Sequence, residues 1–384
     1  MDREISPPPL KRRRVVEAEA KKQRDISPEV LRLFSWNVNG ISPFIQKPIT
    51  SFFASNTSAT NITKSAPQQP SLRDFLRRHN FPTLLFLQEI KISPADSPTQ
   101  NALSRAIKRP PSEPESNPDY VCHFCLPHDK HNATGFGRKV YGVCSIVRKD
   151  FADSYVAQMR TVDWDAEGRF SVIETKAGLD VPKLAIFNVY MVNGTDYPYK
   201  DPVTGEPVGT RHERKLEVHR LLQAEIRTLE NNGFQVIVAG DINIAREPID
   251  GHPNLRTHPY QHILNREDFS RRFLEISRSN EDDYPNRNEP RSLEMIDTFR
   301  HLHPKKKGYS YYPRGRAFGD SCDRVDMVLC SRSLEANCVE AGMLATAADR
   351  GTSDHVPIYA TFDFSERPGA SRRESGSPED PRAG

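Results

Sequence analysis

The sequence predicts an α/β fold built as a two-sheet sandwich. Three observations lead to it: apolar runs of strand length recur from Leu31 to Phe364, long amphipathic helices are few, and polar Pro-rich stretches fall between the runs rather than inside them. The chain has 384 residues, of which 36% are hydrophobic and 31 are prolines, and the prolines belong to arms and loops around one large folded body. No run approaches the ~20 consecutive apolar residues of a membrane-spanning helix. The opening MDREISPPPLKRRR has no apolar stretch of the kind a secretory signal carries. Membrane partners are therefore not expected. Six cysteines are too few for a disulfide scaffold, which points to a reducing compartment. Lysine and arginine total 54 against 51 acidic residues, so any nucleic-acid surface must come from local clustering rather than bulk charge.

Residues 1–29 combine Pro7, Pro8 and Pro9 with Lys11, Arg12, Arg13 and Arg14 and read as a disordered basic arm. The KRRR cluster fits a nuclear import signal, hence an expected location in the nucleus, or a phosphate-binding arm; a solvated tail is the plain alternative. The catalytic body is expected over 30–365. LRLFSWNV (31–38) alternates as a strand does and ends on Asn39-Gly40, a turn signal. A polar insert follows near 44–70. SLRDFLRRH (71–79) opens a helix, with Ser71 as N-cap and Asp74 three residues on. TLLFLQEI (83–90) is a near-continuous apolar strand, and 93–118 is a second polar insert around a short helix. Further strands are expected over 120–126, 140–147, 170–175, 184–192, 235–239, 324–330 and 356–364. One strong helix, 212–230, carries Leu216, Val218, Leu221, Leu222, Ala224, Ile226 and Leu229 and stops at Asn231-Asn232-Gly233. Residues 366–384 turn to Ser, Arg, Pro, Glu and Gly and read as a disordered tail.

The informative pattern is a set of polar residues that end apolar strands: Asn37 and Asn39, Glu89, Tyr190 and Asn193, Asp241 and Asn243, Asp326, and Asp354 with His355. A lone carboxylate at a strand end is more often a cap or a surface group than a catalyst. Repeated at the ends of several strands on one edge of a sandwich, such residues converge in a single cleft. Their chemistry suits phosphodiester hydrolysis. Glu89, Asp354 and the amide of Asn39 offer oxygen ligands to Mg2+, with Mn2+ as a substitute. Asp326 can orient His355 and keep it protonated toward a phosphate. Asp241 can orient or deprotonate a water, while Asn243 and Asn37 donate to phosphate oxygens.

The blocks SWNVNGI, FLQEIK, YGVCSIVRKD, EGRF, NVYMVNG, AGDINIA, DRVDMVL and GTSDHVPI occur here in order over roughly 31–364. This series resembles the exonuclease III-like class II apurinic/apyrimidinic (AP) endonucleases, within the endonuclease/exonuclease/phosphatase superfamily. The resemblance implies a four-layered α/β sandwich of deoxyribonuclease I-like type, and Mg2+-dependent cleavage of DNA on the 5′ side of abasic sites. It also implies removal of 3′-blocking groups and 3′→5′ exonuclease action at the same site, with double-stranded DNA as partner. Carried over by motif, Asn39, Glu89 and Asp354 sit at the metal, Asp241 and Asn243 act on water and phosphate, Tyr190 and Asn193 contact phosphate, and His355 pairs with Asp326. Many members have Asp where this chain has Asn39, and the usual proline of the N-x-Y block is Val192 here. Tyr311, in YSYYP, is the candidate to pack an extrahelical sugar, with a core or surface hairpin as the alternative. Two other classes stay open: the same fold acting on another phosphodiester (an RNA deadenylase, a tyrosyl-DNA phosphodiesterase, or a phosphoinositide or sphingomyelin phosphatase), and a DNA-binding module that has lost catalysis.

Three further signals compete with plainer readings. Cys122, Cys125, His128 and His131 have zinc-ligand chemistry, but the spacing is not that of a finger and a strand with a loop is the stronger reading. Gln46, Ile49, Phe52 and Phe53 resemble the peptide motif that docks on the replication sliding clamp, since one helical turn aligns the three apolar side chains; they would otherwise pin the insert to the body. Lys305, Lys306, Lys307, Arg314, Arg316 and Arg324 cluster in sequence near the YSYYP aromatics, as a DNA-contacting loop or a solvated one.

Overall fold

A computed structural model describes residues 29–45, 71–133, 141–178, 181–275, 290–344 and 346–365. The basic arm up to residue 28, the 46–53 motif with most of the first insert, and the 366–384 tail lie outside the described residues.

Along the central strands, side chains two residues apart share a face, and the inward face changes character from one strand end to the other. In β1 (Val30–Asn37) it runs Leu31, Leu33, Ser35, Asn37; in β2 (Leu84–Gln88) it runs Leu84, Phe86, Gln88. Two strands of the other sheet, Leu184–Tyr190 and Gln235–Asp241, repeat this as Leu184, Ile186, Asn188, Tyr190 and as Ile237, Ala239, Asp241. The apolar halves form the core between the sheets, where Leu31, Leu33, Phe86, Ile186, Ile237 and Ala239 meet. The polar halves meet through hydrogen bonds instead: Gln88 Nε2 donates to Asn188 Oδ1 at 2.7 Å, and the Ser145 and Ser171 hydroxyls lie 3.3 Å apart.

The remaining strands of the two sheets, in chain order, are β3 (Tyr120–Cys125), β4 (Val143–Arg148), β5 (Val156–Thr161), β6 (Phe170–Thr175), β7 (Leu184–Tyr190), β8 (Gln235–Asp241), β9 (Ile296–Asp297), β10 (Asp326–Cys330), β11 (Cys338–Met343) and β12 (Ile358–Asp363). One six-stranded sheet has the order β11-β12-β1-β2-β4-β3 and the other β9-β10-β8-β7-β6-β5. Both are mixed. β1 pairs parallel with β2 and antiparallel with β12; β8 pairs parallel with β7 and antiparallel with β10. The polar C-terminal ends of β1, β2, β7 and β8 therefore reach one edge of the sandwich.

Helices cover both outer faces. Helix α1 (Leu72–Arg78) starts where expected, with the Ser71 side chain accepting from the Asp74 amide, and α2 (Ser97–Ala106) lies in the second insert. Leu72, Phe75, Leu76 and Leu103 pack with Phe34, Trp36, Leu85 and Leu87 of the first sheet. Helix α3 (Arg211–Asn231) opens with a reciprocal cap between Thr210 and Glu213, a device that stabilises a helix start by about 1 kcal/mol. With α4 (Gln261–Phe273) it buries Val218, Leu222, Ile226, Phe269 and Phe273 against Phe187, Val189, Val236 and Val238. Each such side chain contributes ~1.5–3 kcal/mol on burial. The layers are thus helix, sheet, sheet, helix, the four-layered α/β sandwich expected from the resemblance. Among the described residues no helix is long and apolar enough to cross a membrane.

The expected strand over 324–330 begins at Asp326, because the preceding backbone turns away to pair Cys322–Asp323 with Gly251–His252. Strands β5 and β11 and helix α4 were not expected. Gln158 and Arg160 put polar side chains on β5, and α4 buries Asn265 beside Phe269 and Phe273, so neither shows a clean apolar stripe.

Gly240 marks the tightest backbone approach at the polar edge. Its φ is +154°, and a Cβ there would lie 1.8 Å from the Val189 carbonyl oxygen of the parallel neighbour. Gly240→Ala is expected to destabilise the fold by at least ~3 kcal/mol, read by urea unfolding; an unchanged midpoint would contradict this packing.

Candidate active site

The two sheets are joined at their polar edge by a chain of buried groups. Asn37 Nδ2, at the end of β1, donates to Asp241 Oδ2 at the end of β8 across 3.0 Å. Asp241 Oδ2 lies 3.8 Å from His355 Nε2, and His355 Nδ1 lies 2.8 Å from Asp326 Oδ2 on β10. His355 is placed by the loop before β12: its carbonyl accepts from Trp36 Nε1 at 3.0 Å, its amide donates to Ser353 Oγ at 3.0 Å, and that hydroxyl donates to the Asn37 carbonyl at 2.6 Å. The Asp326 amide is fixed by Ser310 Oγ at 3.0 Å.

Burial and mutual charge set the protonation of this chain. Burial and the Asp326 charge push the Asp241 carboxyl up to about 7, against the opposing influence of His355 and Asn37. Burial favours a neutral His355, but the Asp326 and Asp241 carboxylates outweigh it and raise the imidazole to about 10. The site therefore holds an imidazolium beside a carboxylate whose proton is exchangeable near neutrality.

A cleft of about 240 Å³ opens above the chain. Among its lining groups are Asn37, Glu89, Asp241, Asn243, Asp354 and His355, together with Tyr190, Asn193 and Tyr311. Four residues near it adopt left-handed backbone, with φ of 50° at Asn39, 55° at Glu89, 54° at Lys91 and 56° at Asn243. Such conformations cost of order 1–3 kcal/mol each for side chains other than Asn or Gly. Neighbouring backbone over-determines them: the Glu89 carbonyl accepts from Gly40 at 2.8 Å and the Lys91 amide donates to Tyr141 at 2.9 Å. The Asn243 amide donates to Asp241 Oδ1 at 2.9 Å, and its side chain reaches the Met191 carbonyl at 3.0 Å.

Glu89 and Asp354 present carboxylates to the cleft, and Asp326 Oδ1 is buried without a hydrogen-bond partner among the described residues. Asp241, Asp326 and His355 bring their polar side-chain atoms within 4.8 Å of one another, but the protonated His355 has no lone pair to give a metal, so the oxygen donors here are the carboxylates. Hard oxygen donors of this kind fit a divalent cation. Asn39 stands one step back: its Nδ2 donates to Asp354 Oδ1 at 2.8 Å, and its Oδ1 accepts from Lys91 Nζ, which also lies 3.6 Å from Glu89 Oε1.

The sequence pattern of the endonuclease/exonuclease/phosphatase family matches residues 34–355. The chain belongs to that family. Among curated proteins this family member is similar to DNA-(apurinic or apyrimidinic site) endonuclease 2 of Mus musculus, 27% identical over 351 residues, and to that of Homo sapiens, 25% identical over 362 residues. Each match covers 88% of the chain but 61% of the relative, so the chain spans about three fifths of those proteins. Among solved structures it resembles the catalytic domain of APE2 from Xenopus laevis (TM-score 0.55, 18% identity, 87% of this chain and 92% of that one). It also resembles the AP endonuclease of Leishmania major (TM-score 0.60, 16% identity, 89% and 90%). At these identities the structural likeness speaks for the shared fold.

One expected site residue is elsewhere. Arg324 does not face DNA: it is fully buried, with Nε 2.7 Å from Asp250 Oδ1 and Nη2 2.7 Å from Asp297 Oδ2. Its guanidinium is consumed by a core ion cluster that Arg300 completes, so the basic loop keeps only the exposed Lys305, Lys306, Lys307, Arg314 and Arg316. Of the aromatics, Tyr312 is buried and stacked on Phe318 at 4.0 Å, while Tyr311 bridges to His355 with ring centroids 5.0 Å apart. The zinc grouping is not assembled: Cys122 lies against Ser104 at 3.1 Å, and Cys125, three residues on and on the opposite strand face, points to the Phe170 carbonyl.

Several site residues were not anticipated. Lys91, two residues after Glu89 in FLQEIK, was readable from that spacing. Arg169 of EGRF lies under Tyr190, 4.7 Å from its ring centre, and is paired with Glu167 at 2.9 Å. Burial opposes ionisation of Glu167, yet Arg169 and Arg211 hold its carboxyl down at about 2. Burial and the Glu89 charge push the Tyr190 phenol well above its usual range, so it is a neutral donor. Lys215 is buried inside α3, with Nζ 2.9 Å from the Asn243 carbonyl; nothing in the local sequence marks it.

Replacing Asp326 by Asn removes the largest influence that raises His355. The imidazole is then expected to titrate well below about 10, toward its ordinary 6.5, in 15N NMR of the metal-free protein. A titration unchanged by that substitution would refute the assigned pairing.

Proposed function

We propose that the chain is a DNA-repair phosphodiesterase of the exonuclease III-like AP endonuclease class, dependent on Mg2+ with Mn2+ as a substitute. The observation that carries the reading is the buried Asn37–Asp241–His355–Asp326 chain at the floor of a cleft walled by Glu89 and Asp354. The substrates are double-stranded DNA with an abasic site, cut on its 5′ side, or with a blocked 3′ end. The names of the similar AP endonucleases support this choice over RNA or lipid substrates.

Asp241 accepts the proton of the attacking water, a role its raised pKa suits. The water oxygen bonds to phosphorus, the P–O3′ bond breaks, and the departing O3′ takes a proton from solvent to become a 3′-hydroxyl. His355, held protonated, faces the phosphate as a charged donor, and Asn193, Asn243 and the Tyr190 phenol offer neutral hydrogen bonds. Glu89 and Asp354, with Asn39 and Lys91 positioning them, would hold a divalent cation, which would supply positive charge beside the phosphate.

The test incubates three substrates with Mg2+ or EDTA: a duplex with a tetrahydrofuran abasic analogue, a duplex with a 3′-phosphoglycolate, and poly(A) RNA. Mg2+-dependent cleavage of either DNA is expected; cleavage of RNA alone would identify a deadenylase, and no cleavage a binding module. Asp241→Asn and His355→Ala should each lower turnover about 1,000-fold. Glu89→Ala should raise the Mg2+ concentration for half-maximal rate by ~10-fold or more. Turnover should climb with pH as Asp241 loses its proton, with a midpoint no higher than about 7, and fall as His355 loses its own near 10.

A nuclear location rests on the Lys11–Arg14 cluster alone. Docking on the sliding clamp rests on the pattern Gln46, Ile49, Phe52, Phe53, and calorimetry of a 43–56 peptide with the clamp should show binding; a flat titration would dismiss it.

A further inference from the structure

Of the six cysteines, five are buried and Cys122 is half-buried, so its thiol is the one within reach of small solutes. It stands on the outer face of β3, where the Ser104 hydroxyl of α2 lies 3.1 Å from its sulfur. Its second neighbour is Cys144 of β4. The pairing of β3 with β4 sets Cys122 opposite Ile146 and Phe124 opposite Cys144, so the two cysteines are diagonal neighbours on one sheet face. Both pack in the apolar layer under α1 and α2, and the Cys144 thiol donates to the Cys122 sulfur. That hydrogen bond, opposed by burial and aided by Ser104, brings Cys122 down to about 7. Burial, then the hydrogen bond to Cys122 and its charge, push the Cys144 thiol well above its usual range, so it keeps its proton.

A thiolate beside a protonated thiol is an arrangement that responds to peroxides. The thiolate is the attacking species, and attack is fastest when its pKa lies near ambient pH. In a regular ladder, diagonal neighbours stand ~7–8 Å apart between Cα atoms, beyond the ~4.4–6.8 Å that an unstrained disulfide spans. A bond between the two sulfurs must therefore draw β3 and β4 past each other, and a strained disulfide of that kind is readily reduced again. The backbone that would shift holds the Glu89 turn. Just before Cys144, the Gly142 carbonyl accepts from the Ile90 amide at 3.1 Å and the Tyr141 carbonyl from the Lys91 amide at 2.9 Å. A Cβ at Gly142 would lie 3.2 Å from Ile90 Cγ1 and 3.4 Å from Leu126 Cδ2, so movement of either strand is felt at this position.

We propose that Cys122 and Cys144 are a peroxide-sensitive dithiol, whose cross-strand disulfide loosens the turn that carries Glu89. The Cys122 thiolate attacks one oxygen of hydrogen peroxide: the S–O bond forms, the O–O bond breaks, and the departing hydroxide takes a proton from solvent to become water. The Cys144 sulfur then attacks that of Cys122: the S–S bond forms, the S–O bond breaks, and the Cys144 proton passes to the departing oxygen, giving a second water. The two thiols lose two electrons and the peroxide gains them. A thiol reductant reverses the reaction. The inference goes beyond the phosphodiesterase reading and needs neither DNA nor a metal.

The test treats the metal-free full chain with hydrogen peroxide and follows it by peptide mass spectrometry and amide hydrogen exchange. Peptides joined through Cys122 and Cys144 are expected, and exchange at the Ile90 and Lys91 amides should rise about 10-fold in the oxidised protein. Dithiothreitol should reverse both changes. Cys122→Ser, at the half-buried position, should abolish the bond and leave the exchange of those amides unmoved by peroxide. Cys144→Ser should stop at a Cys122 sulfenic acid, trapped by dimedone; if that core variant fails to fold, Cys122→Ser carries the comparison alone. Thiols that stay reduced, Cys122 oxidised only to sulfinic acid, or Cys122 bonded to a second chain each overturn the proposal. A Cys122–Cys144 bond with Ile90 and Lys91 exchange unchanged overturns the link to the turn. Loss of nuclease activity in the untreated chain would bear on the phosphodiesterase reading alone, because neither readout uses turnover.

Discussion

Everything at the polar edge depends on one buried arrangement, the line from Asn37 through Asp241 and His355 to Asp326, hydrogen-bonded at its two ends and joined in the middle by a 3.8 Å ion pair. Removing carboxylates from water costs several kcal/mol each unless a positive partner and donors compensate. Here a single imidazolium serves two acids, so none of the three charged groups is tolerable without the others. Because Asn37 and the loop bearing His355 belong to one sheet while Asp241 and Asp326 belong to the other, compensation exists only when the sheets are packed in register. The same contacts that satisfy the buried charges align the groups that would act on a phosphate.

The scaffold prepares for this by grading its interior. The inter-sheet layer is apolar where Leu31, Phe86, Ile186 and Ile237 meet, and it turns polar through Gln88, Asn188 and Ser145 before reaching the cleft. Apolar packing supplies the stability, and the polar strip forces one register, since a slip would bury amide groups without partners. Left-handed residues at the strand exits then turn Glu89 and Asn243 toward the opening, with Lys91 behind Glu89. That conformation is costly for Glu and Lys and persists because strand ends on either side hold the backbone carbonyls and amides.

Arginines illustrate how position decides chemistry. Arg324 and Arg300 share Asp250 in the core, and Arg169 is enclosed by Glu167 and two tyrosine rings; these charges are fully answered by the protein and act as braces. Arg256 and Arg266 differ because their surroundings offer carbonyls and one carboxylate in place of a matched set. The lining of the cleft thus brings the acids Glu89, Asp241 and Asp354 together with Arg256 and Arg266.

Local pattern alone was enough for the strands of the two sheet centres, the capped start at Ser71, the long helix near 212–230 and the polar strand ends, because each is written within a few neighbouring residues as alternation, periodicity or a cap. Edge strand β5 and helix α4 escaped, since their buried faces are narrow and partly polar. Arg324 was misjudged for a related reason: in sequence it adjoins lysines and aromatics, and only the fold brings Asp250 and Asp297 to it across long loops. Lys215 and Arg266 likewise acquire meaning from the carbonyls they meet. Residue types and their order along strands were thus settled by the chain itself, whereas which charges face one another was settled by packing the sheets, because Coulombic and hydrogen-bond partners are chosen by distance in space and not along the backbone.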